Sequence, residues 1–129
     1  MANFGPMSSV PERYKDRKLY EHNPVVTLMR SSEDECRRIG RFVCEKLTRV
    51  RDPDIIEVWI PKGGVSLLSK PGGPFEDAEA DNALFGEIRD GLRSAGIKVV
   101  EDHRDINDPG FAEDIAEALA RKMGLQQRI

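Results

Sequence analysis

Three polar junctions in the sequence carry residue types that bind anions. They are Arg30-Ser31-Ser32, the glycine-rich stretch from Lys62 to Ser66, and the stretch from His103 to Asp108. Glycine-rich backbone and helix N-termini turn N–H groups toward anions, and an arginine or lysine pairs with phosphate or carboxylate. We therefore expect a small anionic ligand here. The residues expected to contact it are Arg30, Ser31, Ser32, Gly63, Gly64, Ser66, Gly73 and Asn107.

The second junction opens an unusually long loop, Pro61 to Asp77, with four glycines, three prolines and two lysines. Connections from a strand to a helix commonly need about 2–6 residues, and longer ones are usually binding loops or mobile segments. The loop lacks both the G-x-x-x-x-G-K-[ST] and the G-x-G-x-x-G spacing of nucleotide-binding loops. A ligand role and a mobile connector are equally consistent with it.

Catalytic candidates are few. His103 lies among carboxylates, Asp105 included, so it has the surroundings of a general base, whereas a charged surface loop is the simpler interpretation. His22 precedes a proline at the opposite end of a predicted strand, where a turn is the simpler role. We keep His103, Asp105 and His22 as weak candidates for acid–base chemistry.

Composition narrows the class of protein. With 129 residues, 39% hydrophobic residues and a net charge of −3, the chain fits one globular domain and makes nucleic-acid binding improbable. No apolar run approaches the ~18 residues of a membrane span, and no signal peptide is visible, so we expect a cytoplasmic protein without membrane contact. Cysteine and histidine do not occur at zinc-site spacing, so no metal site is expected.

The elements that must position these residues alternate. Apolar runs at 25–29, 55–60 and 97–100 predict strands, and each is followed by a segment with helical periodicity. Such alternation predicts an α/β fold, specifically a three-layer Rossmann-like domain with a small parallel sheet of three strand–helix units over 25–129. Residues 1–24 are punctuated by prolines and predict an extended N-terminal arm.

Helix boundaries are also visible. Ser32 and Glu35 form an S-x-x-E capping box, Asp77 is a plausible N-cap, and Asp108-Pro109 starts the third helix. The predicted apolar stripe of the first helix consists of Cys36, Ile39, Val43 and Leu47. That of the third consists of Phe111, Ile115, Leu119 and Met123.

Several short strings stand in one order along nearly the whole chain. They are Asn3-Phe4-Gly5, Val10-Pro11-Glu12-Arg13, Arg17-Lys18-Leu19-Tyr20, His22-Asn23-Pro24, Thr27-Leu28-Met29-Arg30, Gly63 to Ser66, Gly73-Pro74-Phe75 and Ile106-Asn107-Asp108-Pro109. Taken together, they resemble the C-terminal domain of the uncharacterised family that includes the tomato mosaic virus resistance protein, a helicase inhibitor.

The resemblance implies a piece of a longer, two-domain α/β protein. Members are described as ATP-binding-domain proteins, and any ATP with Mg²⁺ is expected mainly on the N-terminal domain. That domain is then the expected partner. Three parallel strands make a thin sheet with two bare edges, so we expect either that the N-terminal arm adds a strand or that another chain or the other domain covers an edge. We also expect a homo-oligomer formed through an edge or through the arm.

Three functions remain open on the sequence. The first is a nucleotide- or phosphate-ligand-binding α/β domain whose ligand is shared with the other domain. The second is an enzyme acting on a small carboxylated or phosphorylated metabolite. The third is a non-catalytic interaction or oligomerisation domain. We favour the first as the working hypothesis, because the three polar junctions are expected at the carboxyl ends of the strands.

Overall fold

The computed structural model describes residues 1–125 and shows an α/β protein. Single 3₁₀ turns punctuate the loops, the last of them being Leu67–Ser69. The strands and α-helices are, in chain order, β1 (Ala2–Phe4), β2 (Leu19–Asn23), β3 (Val26–Met29), α1 (Glu33–Leu47), β4 (Glu57–Pro61), α2 (Ala78–Arg93), β5 (Lys98–Asp102) and α3 (Pro109–Lys122).

Two separate sheets replace the three-stranded parallel sheet that the sequence predicted. β4 and β5 pair in parallel, whereas β3 lies between β1 and β2 and is antiparallel to both. The reason lies in residues 1–24, which do not form only an extended arm. They supply both β1 and β2, and these two strands occupy both edges of β3, which leaves no edge for a parallel neighbour. The α/β class is thus confirmed, and the predicted sheet is not observed.

Helix starts follow the predicted caps. The Ser32 hydroxyl accepts from the Glu35 N–H while the Glu35 carboxylate accepts from the Ser32 N–H, which forms the capping box of α1. Asp77 caps α2 through the Ala80 N–H, and Asp108 caps α3 just before Pro109. Each cap satisfies an N–H group that the helix itself leaves unpaired.

The main core lies between α2 and the parallel sheet. Its fully buried members include Ile60 from β4, Leu92 from α2 and Ile97 just before β5, and α1 packs against α2 on the same side. On the other side of the sheet, Trp59 of β4 meets Phe111 of α3 edge-to-face with ring centroids 6.0 Å apart. The parallel pair is therefore covered on both faces, as parallel strands require.

Two predicted apolar stripes are only partly buried. In α1, Cys36 is buried but Ile39 is exposed, and Gly40 takes its place facing α2. In α3, Phe111 and Ala118 are buried, whereas Leu119 is exposed. Within residues 1–125, no helix is long and apolar enough to cross a membrane.

Candidate functional site

Two of the three predicted junctions meet at the carboxyl ends of β4 and β5. The Lys62 N–H donates to the Asp102 carbonyl at 2.7 Å, and the Gly63 N–H donates to the Arg104 carbonyl at 3.0 Å. These hydrogen bonds continue the β4–β5 pairing beyond the strands. Glycine is required here, because a Cβ on Gly63 would lie 2.6 Å from the His103 carbonyl oxygen.

The contact between the junctions extends further. The Ile106 N–H donates to the Gly64 carbonyl at 2.9 Å, and the Gly64 N–H donates back to Pro61 at 3.1 Å. Asn107 is exposed, and its N–H donates to the Asp105 carboxylate at 2.8 Å. That hydrogen bond is the main cause that lowers the pKa of Asp105, and Lys70, 3.3 Å away, adds to it. The N–H groups of Gly63 and Gly64, which were predicted to bind an anion, therefore form hydrogen bonds within the domain.

The rest of the 61–77 loop is also folded on itself. Ser66 and Ser69 cap each other around the Leu67–Ser69 turn, with the Ser66 N–H donating to the Ser69 hydroxyl at 3.0 Å. The Phe75 N–H donates to the Leu68 carbonyl at 2.9 Å, and the Phe75 ring is fully buried. Gly73 lies so close to Leu68 that a Cβ would clash with its carbonyl oxygen. The loop is thus an ordered part of the core, with Gly73 and Ser66 in structural positions.

Arg30 holds the far end of this loop. Only 7% of its side chain is exposed. Its Nε donates to the Phe75 carbonyl at 3.0 Å, and its Nη2 donates to the Asp81 carboxylate and to the Asp77 carbonyl. A buried guanidinium with these partners fixes β3 to the start of α2. The first junction is therefore brought to the loop's end rather than to its glycine-rich start.

The two serines of the first junction face elsewhere. Ser32 is engaged in the capping box with Glu35, whose pKa is lowered chiefly by a hydrogen bond from Arg17. Ser31 lines an open hollow of about 590 Å³ that Tyr14 and Phe42 also line. The eight predicted contact residues do not form one cluster.

A small cavity remains between the 61–77 loop and the start of α2, and we call it the strand-end cleft. Its volume is about 120 Å³, whereas pockets for drug-sized ligands run to roughly 300–1,000 Å³. Its lining residues include Lys62, Gly63 and Gly64 from the loop, and Asp77 and Asp81 from the start of α2. The cleft is too small to enclose a nucleotide by itself.

The imidazoles lie outside this cleft. The His103 side chain is 95% exposed, with its Nδ1 3.9 Å from the Asp102 carboxylate, and His22 is exposed on β2. Neither histidine lines the cleft, so the domain alone presents no imidazole there for acid–base chemistry. Among residues 1–125, no group of three or more His, Cys, Asp or Glu side chains is placed to hold a metal ion.

A charged cluster that sequence reasoning missed stiffens the β5 end. Arg104 donates from Nε and Nη2 to both oxygens of Asp102, at 2.9 and 2.7 Å, and also contacts Asp114 at 2.6 Å. These hydrogen bonds lower the pKa of Asp102 to about 2. We call this arrangement of Arg104 with Asp102 and Asp114 the Arg104 fork. The Asp-x-Arg spacing alone is not a specific motif, so the sequence did not predict the fork.

Residues 1–123 match the C-terminal domain of the uncharacterised protein family UPF0261. The chain belongs to this family. It is 46% identical over 120 residues to a UPF0261 protein of Mesorhizobium japonicum, covering 92% of the chain and 30% of that protein. A UPF0261 protein of Clostridium tetani is 39% identical over 123 residues, covering 95% of the chain and 30% of that protein. The predicted family resemblance is confirmed.

The chain is also similar to a tomato protein. The ToMV resistance protein Tm-1(GCR237) of Solanum lycopersicum is 36% identical over 122 residues, which cover 92% of the chain and 16% of that protein. This UPF0261 domain therefore spans less than a third of the length of the bacterial relatives above and a smaller share of the tomato one.

A second surface of the UPF0261 domain was not singled out from sequence. A groove of about 300 Å³ lies between the start of β4 and α3, and we call it the β4–α3 groove. Most of its lining is apolar and includes Ile55, Trp59, Ile115 and Leu119, while Glu57 and Lys122, which are 3.7 Å apart, add a charged pair. Ile55 is 64% exposed and Leu119 is 57% exposed. The available signal was the predicted apolar stripe of the third helix, to which Ile115 and Leu119 belong.

Proposed function

We propose that this domain is an assembly domain that docks against the rest of a UPF0261 protein. One observation carries the proposal: β4 and β5 form a two-stranded parallel sheet with no third strand in residues 1–125. Parallel sheets are usually larger, commonly with about 4–6 strands, and buried among helices. A sheet with both edges bare is a template for pairing with another chain segment.

Two further features support docking over catalysis. Both histidines are exposed and neither lines the strand-end cleft, so of the three acid–base candidates only Asp105 is left near the strand ends. The bacterial relatives match this chain over only about a third of their length or less. Their remaining residues supply a natural partner for the exposed apolar side chains of the β4–α3 groove.

The test is binding in trans. The 129-residue chain is titrated by calorimetry with the part of the Mesorhizobium japonicum relative that lies outside the 120 matched residues. The matched domain of that relative serves as the positive control. We expect saturable one-to-one binding for both domains. Absence of binding for both would reject the proposal.

Self-association is the competing form of assembly. Sedimentation of the chain alone at rising concentration measures it directly. We expect the chain to dimerise more weakly than it binds the rest of the relative, because docking of the other segment would bury the same apolar groove. A tighter homodimer would replace the proposed partner with a second copy.

A nucleotide- or phosphate-binding role is the second candidate, and the position of the strand-end cleft favours it. Ligands of open α/β sheets bind beyond the carboxyl ends of the strands, where this cleft lies. Lys62 is half-exposed there, with Glu101 4.0 Å away as its ion-pair partner. Because the cleft holds only about 120 Å³, a nucleotide with Mg²⁺ would need the rest of the protein to complete the site.

Calorimetry separates this candidate from pure assembly. ATP with Mg²⁺ and inorganic phosphate are titrated into the chain alone and into the full-length Mesorhizobium japonicum relative. The anion hypothesis expects both ligands to bind the full-length protein more tightly than the chain alone. If neither ligand binds the full-length protein, the hypothesis is rejected.

A further inference from the structure

We propose that a β-strand from the rest of a UPF0261 protein pairs with the outer edge of β4 and lays its apolar side chains in the β4–α3 groove. This inference rests on the proposed docking function and specifies its surface. It commits to one edge of the parallel sheet, one binding mode and one occupant. Strand addition of this kind gains affinity from main-chain hydrogen bonds and specificity from alternate side chains.

The register identifies which backbone groups of β4 are available. The Lys62 N–H donates to Asp102, so Lys62 faces β5. Main-chain groups alternate sides along a strand, so Ile60 and Val58 also face β5. The N–H and C=O groups of Glu57 and Trp59 therefore point away from β5. Residues 1–125 place no strand against them.

The β4–α3 groove lies next to this outer edge of β4. Its strand residues come from β4 and the turn before it, its helix residues come from α3, and none of its lining residues is from β5. The Trp59 indole N–H is already satisfied by the Glu57 carboxylate at 2.9 Å. The ring thus presents an apolar face to an incoming side chain.

The two edges of the sheet differ in how they are protected against pairing. Natural edge strands are blunted by charges and prolines. β5 carries Lys98, Glu101 and Asp102 among its five residues. β4 carries one charge, Glu57, which has cationic partners at 3.3 Å and 3.7 Å, and a proline only at its end, Pro61. The less protected edge of the sheet is therefore that of β4.

The rest of the family protein fits this edge better than a second copy does. A second copy pairing edge to edge would offer its own β4, in which only Glu57 and Trp59 point outward with a complete set of backbone groups. The next outward residue is Pro61, which has no N–H. The rest of a UPF0261 protein carries no such limit, and it accounts for about 70% of the length of the bacterial relatives.

Hydrogen exchange at β4 tests the backbone part of the proposal. Exchange is measured by NMR on the chain alone and on its complex with the rest of the Mesorhizobium japonicum relative. The Trp59 amide is expected to be slowed at least about tenfold in the complex, since it gains a hydrogen bond. The Val58 and Ile60 amides, already paired with β5, are the internal controls and serve to show that the chain remains folded.

Substitutions in the groove test the side-chain part. Ile55→Glu and Leu119→Glu place a charge on the proposed contact surface, and both are expected to weaken binding at least about tenfold because the charge must be buried. Leu67→Glu is the matched control: Leu67 is 69% exposed but lies in the 61–77 loop. It is expected to bind within about twofold of the unchanged chain, because surface substitutions away from an interface have small effects.

The outcomes separate the two proposals. If no complex forms with the unchanged chain, the docking function itself fails. If a complex forms but the Trp59 amide exchanges as before, or both groove variants bind normally, docking stands and strand addition at β4 is wrong. If slowed exchange at Trp59 appears in a homodimer alone, the occupant is a second copy and the partner named above is wrong.

Discussion

The 61–77 loop and the β4–α3 groove are opposite in character. The loop is rich in glycine, serine and lysine, yet its polar groups are largely used within the domain, as at Gly63 and Ser66. The groove is built from an ordinary strand and helix, yet it leaves Ile55 and Leu119 more than half exposed. The loop, whose composition suggests ligand binding, has its hydrogen-bonding groups paired within the domain. The groove, whose composition suggests a buried core, is exposed to solvent.

The comparison shows that the composition of a segment does not determine whether its groups are free to bind a partner. Glycines in the loop are needed for close backbone contacts, such as that between Gly63 and His103. A ligand would have to break those hydrogen bonds or use side chains alone. In the groove, Ile55 and Leu119 are more than half exposed, so covering them with a partner brings a hydrophobic gain. The open surface is therefore the stronger functional candidate.

Among tests of the structural role of the loop, Arg30→Ala is expected to have the largest effect on stability. Removing this buried guanidinium leaves the Asp81 carboxylate and the Phe75 carbonyl without their partner. We expect the free energy of unfolding to fall by about 3–5 kcal/mol, as for other broken buried pairs. Urea denaturation measures it, with Arg49→Ala as control. Arg49, just beyond the end of α1, forms an exposed pair with Glu45, and its removal should cost less than about 0.5 kcal/mol.

A loss below about 1 kcal/mol for Arg30→Ala would contradict the structural assignment. Arg30 would then be free to serve an anion, and the loop would again become the leading site. The same measurement therefore decides between the two regions.

A second test addresses the contact between the loop and the 103–106 turn. Gly63→Ala places a Cβ against the His103 carbonyl, and we expect it to destabilise the fold by about 1–3 kcal/mol through overpacking. Gly86→Ala is the matched control, since its nearest neighbour would be a flexible arginine tip at 3.6 Å. In helix α2 that change should stabilise by about 0.5–1 kcal/mol. Equal effects for both variants, measured by urea denaturation, would show that the loop is loose.

Local features of the fold were predictable from the sequence. The caps at Ser32, Asp77 and Asp108 are confirmed, because a cap depends on residues within one helical turn. The three predicted strands are present within one or two residues of their expected positions. Strand pairing was not predictable. It depends on distant residues: Ala2–Phe4 and Leu19–Asn23 pair with opposite edges of β3, and the sequence indicated this only as the alternative that the arm adds a strand.

The candidate site shows the same division. The meeting of Gly63 with the 103–106 turn follows from parallel topology and could be predicted. The fate of each donor could not, because a free N–H and a paired one look alike in sequence. Arg30 illustrates this: its burial against Phe75 and Asp81 depends on how the loop closes 45 residues later. Ligand contacts at the predicted residues stay a prediction.

A smaller effect concerns the Arg104 fork and pH. The pKa of Asp102 falls from its ordinary 3.8 to about 2, chiefly through its hydrogen bonds from Arg104. Between about pH 2 and pH 4 the unfolded chain therefore binds a proton more readily than the folded one, so stability rises with pH across this window. We expect Asp102→Asn to flatten that rise, measured as the urea midpoint at several pH values.

The Arg104→Gln variant is the partner experiment. It removes the cation that lowers the Asp102 pKa, so it should flatten the same window, and the double variant should add little beyond either change. Independent, additive losses would show that the fork does not act as one unit. The 61–77 loop would then rest on a less rigid β5 end than its backbone contacts indicate.

The smallest expected effect lies in the groove. Leu119→Ala should change the free energy of unfolding of the isolated chain by less than about 0.5 kcal/mol, because the side chain is already more than half exposed and alanine is a good helix former. Leu92→Ala, the same change at a fully buried position, should cost about 2–5 kcal/mol. Urea denaturation compares the two. A loss above about 2 kcal/mol at Leu119 would mean that the groove is closed in the isolated chain, and the contrast with the loop would disappear.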